Sequence, residues 1–436
     1  MHLIRLPVAL SAICSAFLVG HDACANELLV PGQYPSIQAA IDAATDGDVV
    51  LVGPGSYAPI NLGAKRISVQ STGGRGVTTI DGAGQGTSTV TFGAGSSLAS
   101  RVAGFTIRAG AGTGAWYYAQ GGGIFCPAGS ATIEDCDIIG STSGTGYGGG
   151  LRMTGPALVL RRCRFIDNWS WHDGGGINVG IEATDSSEAV AGTAAVRAIV
   201  EDCEFRNCYS YNAGGIAMSF RDQSNLDDQL VIRRCIFTGN SGEYGPSSLF
   251  PSDARLSGIA GNLASHLVTV DRCVLDSQTL SLTAGAYFEG GHPLNVRVTD
   301  TLVTRGWVRR AVGVMEMGKS WLCQGVSVAG GFVDLGLNTA ACPASEDCNA
   351  NGVQDAFECV TGSLTDADRD LRSDACACQR IDLNASGSVD GADLGMMLYL
   401  WGPVSPESVS ADLDDDGFIG GADLGLMLAA WGTCPA

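Results

Sequence analysis

The chain is poor in basic residues, in histidine and in long apolar runs. It has 25 lysines and arginines against 45 acidic residues, a formal net charge of −20, and its only lysines are Lys65 and Lys319. A nucleic-acid-binding protein needs a positively charged face, so this balance argues against that class. After the first 25 residues no stretch reaches the roughly eighteen apolar residues of a membrane helix, so no membrane span is predicted.

Glycine, in contrast, is abundant, with 62 of 436 residues, and 45% of the chain is apolar. That composition fits neither a disordered protein nor, without glycine at every third position, a collagen. Residues 1–25 have the pattern of a signal peptide, because Arg5 precedes an apolar run and Ala23-Cys24-Ala25 is a cleavage signal. We therefore expect a secreted protein, extracellular or at the cell surface, in an oxidising compartment.

Charge divides the mature chain near residue 345. Residues 346–436 hold 17 acidic residues against three arginines, a net charge of −14, which leaves −6 for residues 26–345. We predict a large domain over residues 26–345, an acidic calcium-binding linker over 346–378 and a small domain over 379–436.

The large domain is built from two recurring units. The first is a cysteine within an apolar-x-x-charged-Cys-x-apolar motif, at Cys136, Cys163, Cys203, Cys235 and Cys273. The second is a glycine cluster before an apolar residue, at residues 121–123, 148–150, 174–176 and 214–215. A period in the twenties with short β-branched runs predicts an all-β solenoid of stacked parallel strands. The cysteines are then expected to form a buried column of small apolar side chains, in preference to a disulfide ladder or metal site.

The start of this domain predicts a cap. Residues 36–44 have apolar residues at helical spacing, and a helix there would cover the open end of the sheets. Together with Pro54-Gly55-Ser56-Tyr57 and Thr79-Ile80-Asp81-Gly82, this passage resembles the right-handed parallel β-helix proteins of the pectin-lyase-like superfamily, over about residues 27–340.

The tail contains two loops with oxygen donors at the spacing of a calcium-binding loop. The first offers Asp382, Asn384, Ser386, Ser388, Asp390 and Asp393, and the second offers Asp412, Asp414, Asp416, Phe418 (through its carbonyl) and Asp423. Each loop runs into a similar apolar segment that ends in Trp-Gly. The pair resembles a type I dockerin, an α-helical F-hand domain, over residues 382–432. The resemblance implies calcium as cofactor and a cohesin-like scaffold protein as partner, while a purely structural calcium module is the alternative.

A third loop precedes the dockerin-like region. Asp347, Asn349, Asn351, Val353, Asp355 and Glu358 fit the full EF-hand pattern. With the acidic residues that follow, the segment resembles the thrombospondin type 3 calcium repeats. Calcium would stiffen this linker.

The dockerin resemblance also implies that the two ends of the tail meet. Cys378 and Cys434 flank the duplicated module and could form a disulfide, for which Cys376 is the competing partner.

Candidate sugar-binding and catalytic residues in the coils of the large domain form less distinctive motifs than the calcium loops. Trp169 and Trp171 lie six and eight residues after Cys163, and Tyr209 and Tyr211 lie six and eight after Cys203. They should stack along one corner and could bind sugar rings, although simple covering of the corner is equally compatible with the pattern.

The nearest acid, base or carboxylate-binding candidates are Arg164, Asp167, His172 and Asp173. Two functions stay open: a lyase or hydrolase acting on a polysaccharide, which could be an acidic glycan, or a non-catalytic adhesion protein that uses the β-helix as a spacer or binding surface.

Overall fold

The computed structural model describes most of the region before residue 339 and parts of the tail. It describes residues 25–114, 119–180, 196–210, 214–219, 229–242, 254–255, 267–276, 280–281, 294–304, 307–309, 313–323, 327–329, 333–338, 351, 353–366, 371, 373, 381–384, 386–404, 409–413 and 417–433. None of the helices in these ranges combines the length and apolarity needed to cross a bilayer.

The chain winds in coils that add strands to three parallel sheets. Sheet A consists of Glu27–Val30, Val49–Val52, Ser68–Ser71, Arg101–Ala103, Ala131–Glu134, Ala157–Arg161, Arg197–Glu201, Gln229–Arg233, Leu267–Asp271, Leu294–Thr299, Gly313–Gly318 and Val333–Asp334. Sheet B consists of Gly55–Tyr57, Thr78–Asp81, Thr106–Arg108, Asp137–Ile139, Arg164–Ile166, Glu204–Arg206, Ile236–Thr238, Val274–Asp276, Leu302–Val303 and Trp321–Leu322. Sheet C consists of Ile60–Gly63, Val90–Phe92, Ile124–Cys126, Leu151–Met153, Ile177–Gly180 and Ile216–Ser219. The predicted solenoid of parallel strands is confirmed.

The remaining elements are short. The helices that lie wholly within the described ranges are α1 (Ile37–Ala43), α2 (Asp355–Thr361), α3 (Gly391–Tyr399) and α4 (Gly421–Ala429), with a 3₁₀ turn at Val409–Ala411. Parallel pairs join Tyr209–Ser210 to Ser241–Gly242, Ala254–Arg255 to Leu280–Ser281, and Trp307–Arg309 to Ser327–Ala329. Antiparallel pairs join Ser388–Val389 to Gly432–Thr433 and Gly402–Pro403 to Phe418–Ile419.

Like side chains stack on like inside the solenoid. The rings of Phe165, Phe205 and Phe237 lie 5.0 and 4.7 Å apart, each pair with an interplanar angle of 6°. The predicted cysteine column is also confirmed, since all five of its members are at most 3% exposed. Burial raises the pKa of Cys136 to about 12. Cys136 is therefore a thiol of low reactivity, and the column packs as small buried side chains.

The tight turn from sheet A to sheet B has one left-handed residue, which is glycine at Gly104 but a charged residue in the coils from Asp135 onward. Asp135, Arg162, Asp202 and Arg234 have φ between 49° and 55°. Their side chains point outward and pair between neighbouring coils, Arg162 to Asp135 at 2.7 and 2.9 Å and Arg234 to Asp202 at 2.6 and 2.9 Å. The pairing supplies an interaction that glycine lacks and, at about 0–1 kcal/mol for a half-exposed pair, offsets part of the strain of about 1–2 kcal/mol per residue.

The glycine clusters meet a steric need as well as a conformational one. Gly148 has a φ of 67°, as a tight corner requires. Gly149 has no such φ, but a Cβ there would lie 2.4 Å from the carbonyl oxygen of Trp169 and 2.6 Å from that of Gly175. The third residue of this cluster, Gly150, must likewise lack a side chain, because a Cβ there would lie 2.5 Å from the carbonyl oxygen of Gly176. Successive coils therefore approach closely at the entrance to sheet C only because these residues have no side chain.

Two helices cover apolar parts of the solenoid. The predicted cap is confirmed as α1, whose N-cap Ser36 accepts a hydrogen bond from the backbone N–H of Ala39 and which buries Ile37 and Ile41. Within the predicted linker, α2 packs Phe357 and other apolar residues against the outer side of sheet B. This part of the linker is thus attached to the solenoid.

Candidate functional site

The connections from sheet B to sheet C in three successive coils form one corner of the solenoid. We call it the aromatic corner (residues 140–150, 167–176 and 207–210). Trp169 pairs in parallel with Thr142 of the preceding coil and with Tyr209 of the next. Equivalent positions therefore line up along the solenoid axis at the spacing of neighbouring strands, about 4.8 Å.

Asn168 fixes the base of this corner. It is fully buried, its Oδ1 accepts a hydrogen bond from the backbone N–H of Ser141 at 3.0 Å, and its Nδ2 donates to the carbonyl of Ile138 at 2.9 Å. Asn240 makes the same two bonds to the coil that precedes it. These amides hold successive coils in register immediately beside the aromatic residues.

The aromatic side chains stack as predicted. The rings of Trp169 and Tyr209 are parallel within 1°, with centroids 6.5 Å apart, and Trp171 meets Trp169 edge-on at 6.3 Å. Trp171 is 45% exposed. Tyr211, the fourth predicted sugar contact, lies outside the described residues. Whether these rings bind a sugar stays a prediction.

A second group lies deeper in the corner. The rings of Tyr147 and His172 stack with centroids 5.0 Å apart and an interplanar angle of 23°. The guanidinium of Arg152 lies 5.0 Å from the centre of the Tyr147 ring, a cation–π distance. Arg152 also donates a hydrogen bond to Asn178 Oδ1. His172 was predicted to belong to this corner, whereas Arg152 and Asn178 were missed.

The other acid and base candidates are distributed differently. Arg164 lies on sheet B and donates two hydrogen bonds to the carboxylate of Asp137, one of them from Nε at 2.7 Å. These bonds raise the pKa of the Arg164 guanidinium. Asp167 is exposed and occupies a left-handed turn position, with φ of 53°. Asp173 follows His172 and is part of the corner, where its carbonyl accepts a bond from Gly148. The structure thus brings Asp167, His172 and Asp173, but not Arg164, to the aromatic corner.

The first tail loop is organised by backbone donors. Asp382 accepts the N–H groups of Ser386 and Gly387 at 2.9 and 2.6 Å. Burial opposes ionisation of Asp382, but these bonds outweigh it and lower its pKa. Asp393, fully buried, accepts the N–H groups of Asn384 and Asp390 at 3.1 and 2.8 Å.

The second loop repeats this arrangement. Asp412 accepts the N–H of Gly417 at 3.1 Å, and buried Asp423 accepts the N–H groups of Leu413 and Gly420 at 2.6 and 2.7 Å. One oxygen of Asp412 is buried without a hydrogen-bond partner. Such an orphaned carboxylate oxygen fits a hard cation, and so does the oxygen-rich donor set. Within the described residues, however, no three His, Cys, Asp or Glu side chains converge as on a metal ion.

The tail has an internal two-fold relation. Ser388–Val389 of the first loop pairs with Gly432–Thr433 at the end of the tail, and Phe418–Ile419 of the second loop pairs with Gly402–Pro403 after α3. The last residues of each half thus form an antiparallel strand pair with the loop of the other half.

Several predicted tail residues lie outside the described ranges: Asp347, Asn349, Asp414, Asp416, Cys378 and Cys434. In the loop that begins at Asp347, Asn351 Nδ2 donates to Glu358 at 2.9 Å and Val353 N donates to Asn351 Oδ1 at 2.8 Å. Asp355 is 1% exposed. The calcium set of this loop stays a prediction.

Comparison with known proteins identifies the class of fold. Residues 92–307 match the family model described as the right handed beta helix region, so the solenoid is a right-handed parallel β-helix. No curated protein matches the chain.

Among solved structures, the chain is similar in fold to pectate lyase Pel9A (13% identity, 79% of this chain and 85% of that one covered, TM-score 0.41). It is also similar to a pectin methylesterase mutant in complex with a hexasaccharide (12%, 78% and 98% covered, TM-score 0.32). A third similar structure is the A-module of the Azotobacter vinelandii mannuronan C-5 epimerase AlgE6 (15%, 71% and 95% covered, TM-score 0.22).

Proposed function

We propose that the protein is a secreted, carbohydrate-directed β-helix protein that binds a polysaccharide along the aromatic corner. The observation that carries the proposal is the parallel alignment of Trp169 with Tyr209, beside the exposed ring of Trp171. Sugar rings present an apolar C–H face, and an aromatic ring of similar size desolvates it without requiring charge. Rings repeated at the coil spacing suit a polymer better than a single sugar.

The tail would attach this binding domain to an extracellular scaffold. Two observations support a calcium-dependent, dockerin-like module: the repeated loops with buried carboxylates, and the two-fold pairing of their ends. Leu398 and Leu428, at equivalent places in α3 and α4, are 52% and 53% exposed and offer apolar contacts to a cohesin-like partner. Calcium would be held by the loop carboxylates and would neutralise their mutual repulsion.

Two outcomes of polysaccharide binding are distinguished by one assay. His172 and Asp173 at the corner favour a lyase or hydrolase, since an imidazole and a carboxylate can serve as acid and base. The continuous sheet A favours adhesion, because it makes a rigid spacer.

The purified chain is incubated with acidic polysaccharides, with and without calcium. Unsaturated products indicate a lyase and new reducing ends without unsaturation a hydrolase, whereas retention without product identifies an adhesion protein.

Binding itself is tested by Trp171→Ala, because that ring is already exposed and its loss should leave the fold intact. We expect about tenfold weaker retention in affinity electrophoresis, in line with about 1.4 kcal/mol for a lost aromatic contact. Tyr399→Ala, which removes an aromatic side chain 88% exposed in the tail, is the matched control. Equal retention of both variants would contradict the proposed binding surface.

A further inference from the structure

One outward column of sheet B changes character towards the C-terminal end of the solenoid. Its equivalent positions in successive coils are Asp137, Arg164, Glu204, Ile236, Val274, Leu302 and Trp321. Val274 and Leu302 are fully buried and Trp321 is 7% exposed, although all three point away from the main core. The apolar part of the column is therefore covered over three successive coils.

The cover is α2, which comes from the segment after the solenoid. Its residues Ala356, Phe357 and Val360 form one apolar cluster with the three column residues. A charged contact adds to it, because Arg272 Nη1 lies 3.9 Å from the position that a Cβ on Gly362, the C-cap of α2, would occupy. A positive charge beside the C-terminus of a helix is favourable, since the helix dipole is negative there. Apolar and charged contacts thus hold α2 to several coils at once.

Cys323 belongs to the same cluster. Leu322 packs against the main core, so strand alternation turns Trp321 and Cys323 outward, towards α2. Cys323 is disulfide-bonded, whereas the eight other cysteines among the described residues are thiols. Its partner is therefore a cysteine outside the described ranges. Apart from those of the predicted signal peptide, these all follow the solenoid: Cys342, Cys348, Cys376, Cys378 and Cys434.

We propose that α2 and the disulfide of Cys323 form a strap that fastens the chain after the solenoid across the last coils. Forming the disulfide joins two sulfur atoms and releases two protons and two electrons, which a thiol–disulfide oxidoreductase of an oxidising compartment accepts.

The strap acts at the end where the solenoid is easiest to open. The strand Val333–Asp334 at this end of sheet A is exposed, and each coil of a solenoid contacts only its neighbours, so opening proceeds from an end coil by coil. With the strap in place the last coils must open together, and a load applied through the tail reaches three coils at once.

The covalent part of the strap is tested by peptide mapping of the full chain under non-reducing conditions. The peptide that contains Cys323 should be joined to a peptide of the same chain from beyond residue 338. Recovery of Cys323 as a thiol, or in a disulfide between two chains, would overturn the strap.

Its effect on the coils is tested by hydrogen exchange. The backbone N–H groups of Leu302 and Trp321 donate to Cys273 and Thr301 at 2.9 Å in the strapped coils, and that of Arg164 donates to Cys136 at 2.9 Å in a distant coil. Phe357→Ala should speed exchange in the strapped coils by at least about tenfold, because the cluster that must open first loses a buried ring. Exchange at Arg164 should not change.

Cys323→Ser, which removes the disulfide, should speed exchange in the same coils. Phe418→Ala is the matched control, because it removes the same ring from a position 47% exposed in the tail, and it should leave all coils protected as in the wild type.

Unchanged exchange of the strapped coils in Phe357→Ala would overturn the strap. So would equal acceleration in every coil, which would make α2 a general stabiliser, and so would the same acceleration in Phe418→Ala. If Phe357→Ala does not fold, Cys323→Ser decides by the same comparison of strapped and distant coils. These measurements need no sugar, so the strap and the proposed polysaccharide binding stand or fall separately.

Discussion

Replacing Gly149 by alanine tests how closely the coils approach at the aromatic corner. The new methyl group would lie 2.4 and 2.6 Å from two backbone oxygens, those of Trp169 and Gly175, whereas ordinary contact begins near 3.4 Å. Neither oxygen belongs to a side chain that can rotate away. The coils must therefore separate locally by about 1 Å to restore ordinary contact distances.

That separation breaks specific hydrogen bonds. Gly149 N donates to Gly174 O at 3.0 Å and Gly150 N donates to Gly175 O at 2.9 Å. Losing both costs about 1–3 kcal/mol, and overpacking adds about 1–3 kcal/mol, so we expect a loss of about 2–6 kcal/mol.

The assay is urea unfolding followed by tryptophan fluorescence, with hydrogen exchange at the corner amides as a local readout. Gly76→Ala is the control, because its methyl group would have no atom within 4 Å and its φ is ordinary. It should change stability by less than about 0.5 kcal/mol. If Gly149→Ala behaves like this control and its corner amides stay protected, the close-approach argument is refuted.

Three further predictions follow from individual contacts. Asn168→Ala should lower the free energy of unfolding by about 2–4 kcal/mol in urea titrations, because it leaves a backbone N–H and a carbonyl buried and unpaired. Backbone N–H groups of Thr45 and Asn26 lower the pKa of Asp48 to about 2, below its unfolded value near 3.9. Its contribution to stability is therefore complete above about pH 4 and lost as the pH falls towards 2, and Asp48→Asn should flatten the acid limb of a stability–pH curve. Chelating calcium in the full chain should speed hydrogen exchange over residues 379–436 while leaving the β-helix protected, and unchanged exchange there would contradict a calcium-dependent tail.

The sequence alone determined the solenoid, because each coil repeats the same local requirements. A cysteine enters the core after the tight turn in five coils, and glycines recur where the backbones of successive coils approach before sheet C. The equal offset of Trp169 and Tyr209 from their column cysteines was enough to predict their stacking, since residues at equal offsets in stacked coils become neighbours. Calcium binding by the tail loops was predicted from ligand spacing, which is also local in sequence, and it stays a prediction.

The tertiary structure decided which outward-facing residues are covered. One outward column of sheet B changes from the charged Arg164 and Glu204 to the apolar Val274 and Leu302, and α2 covers the apolar part. Nothing within a single coil reveals that a helix from residue 355 onward would pack there. Arg152 shows the same limit: strand alternation places it outside, where a lone arginine is normally solvated. Its burial, and the absence of a paired carboxylate among the residues that the structure describes, depend on neighbours supplied by other coils, and period-two patterning within a strand carries no information about them.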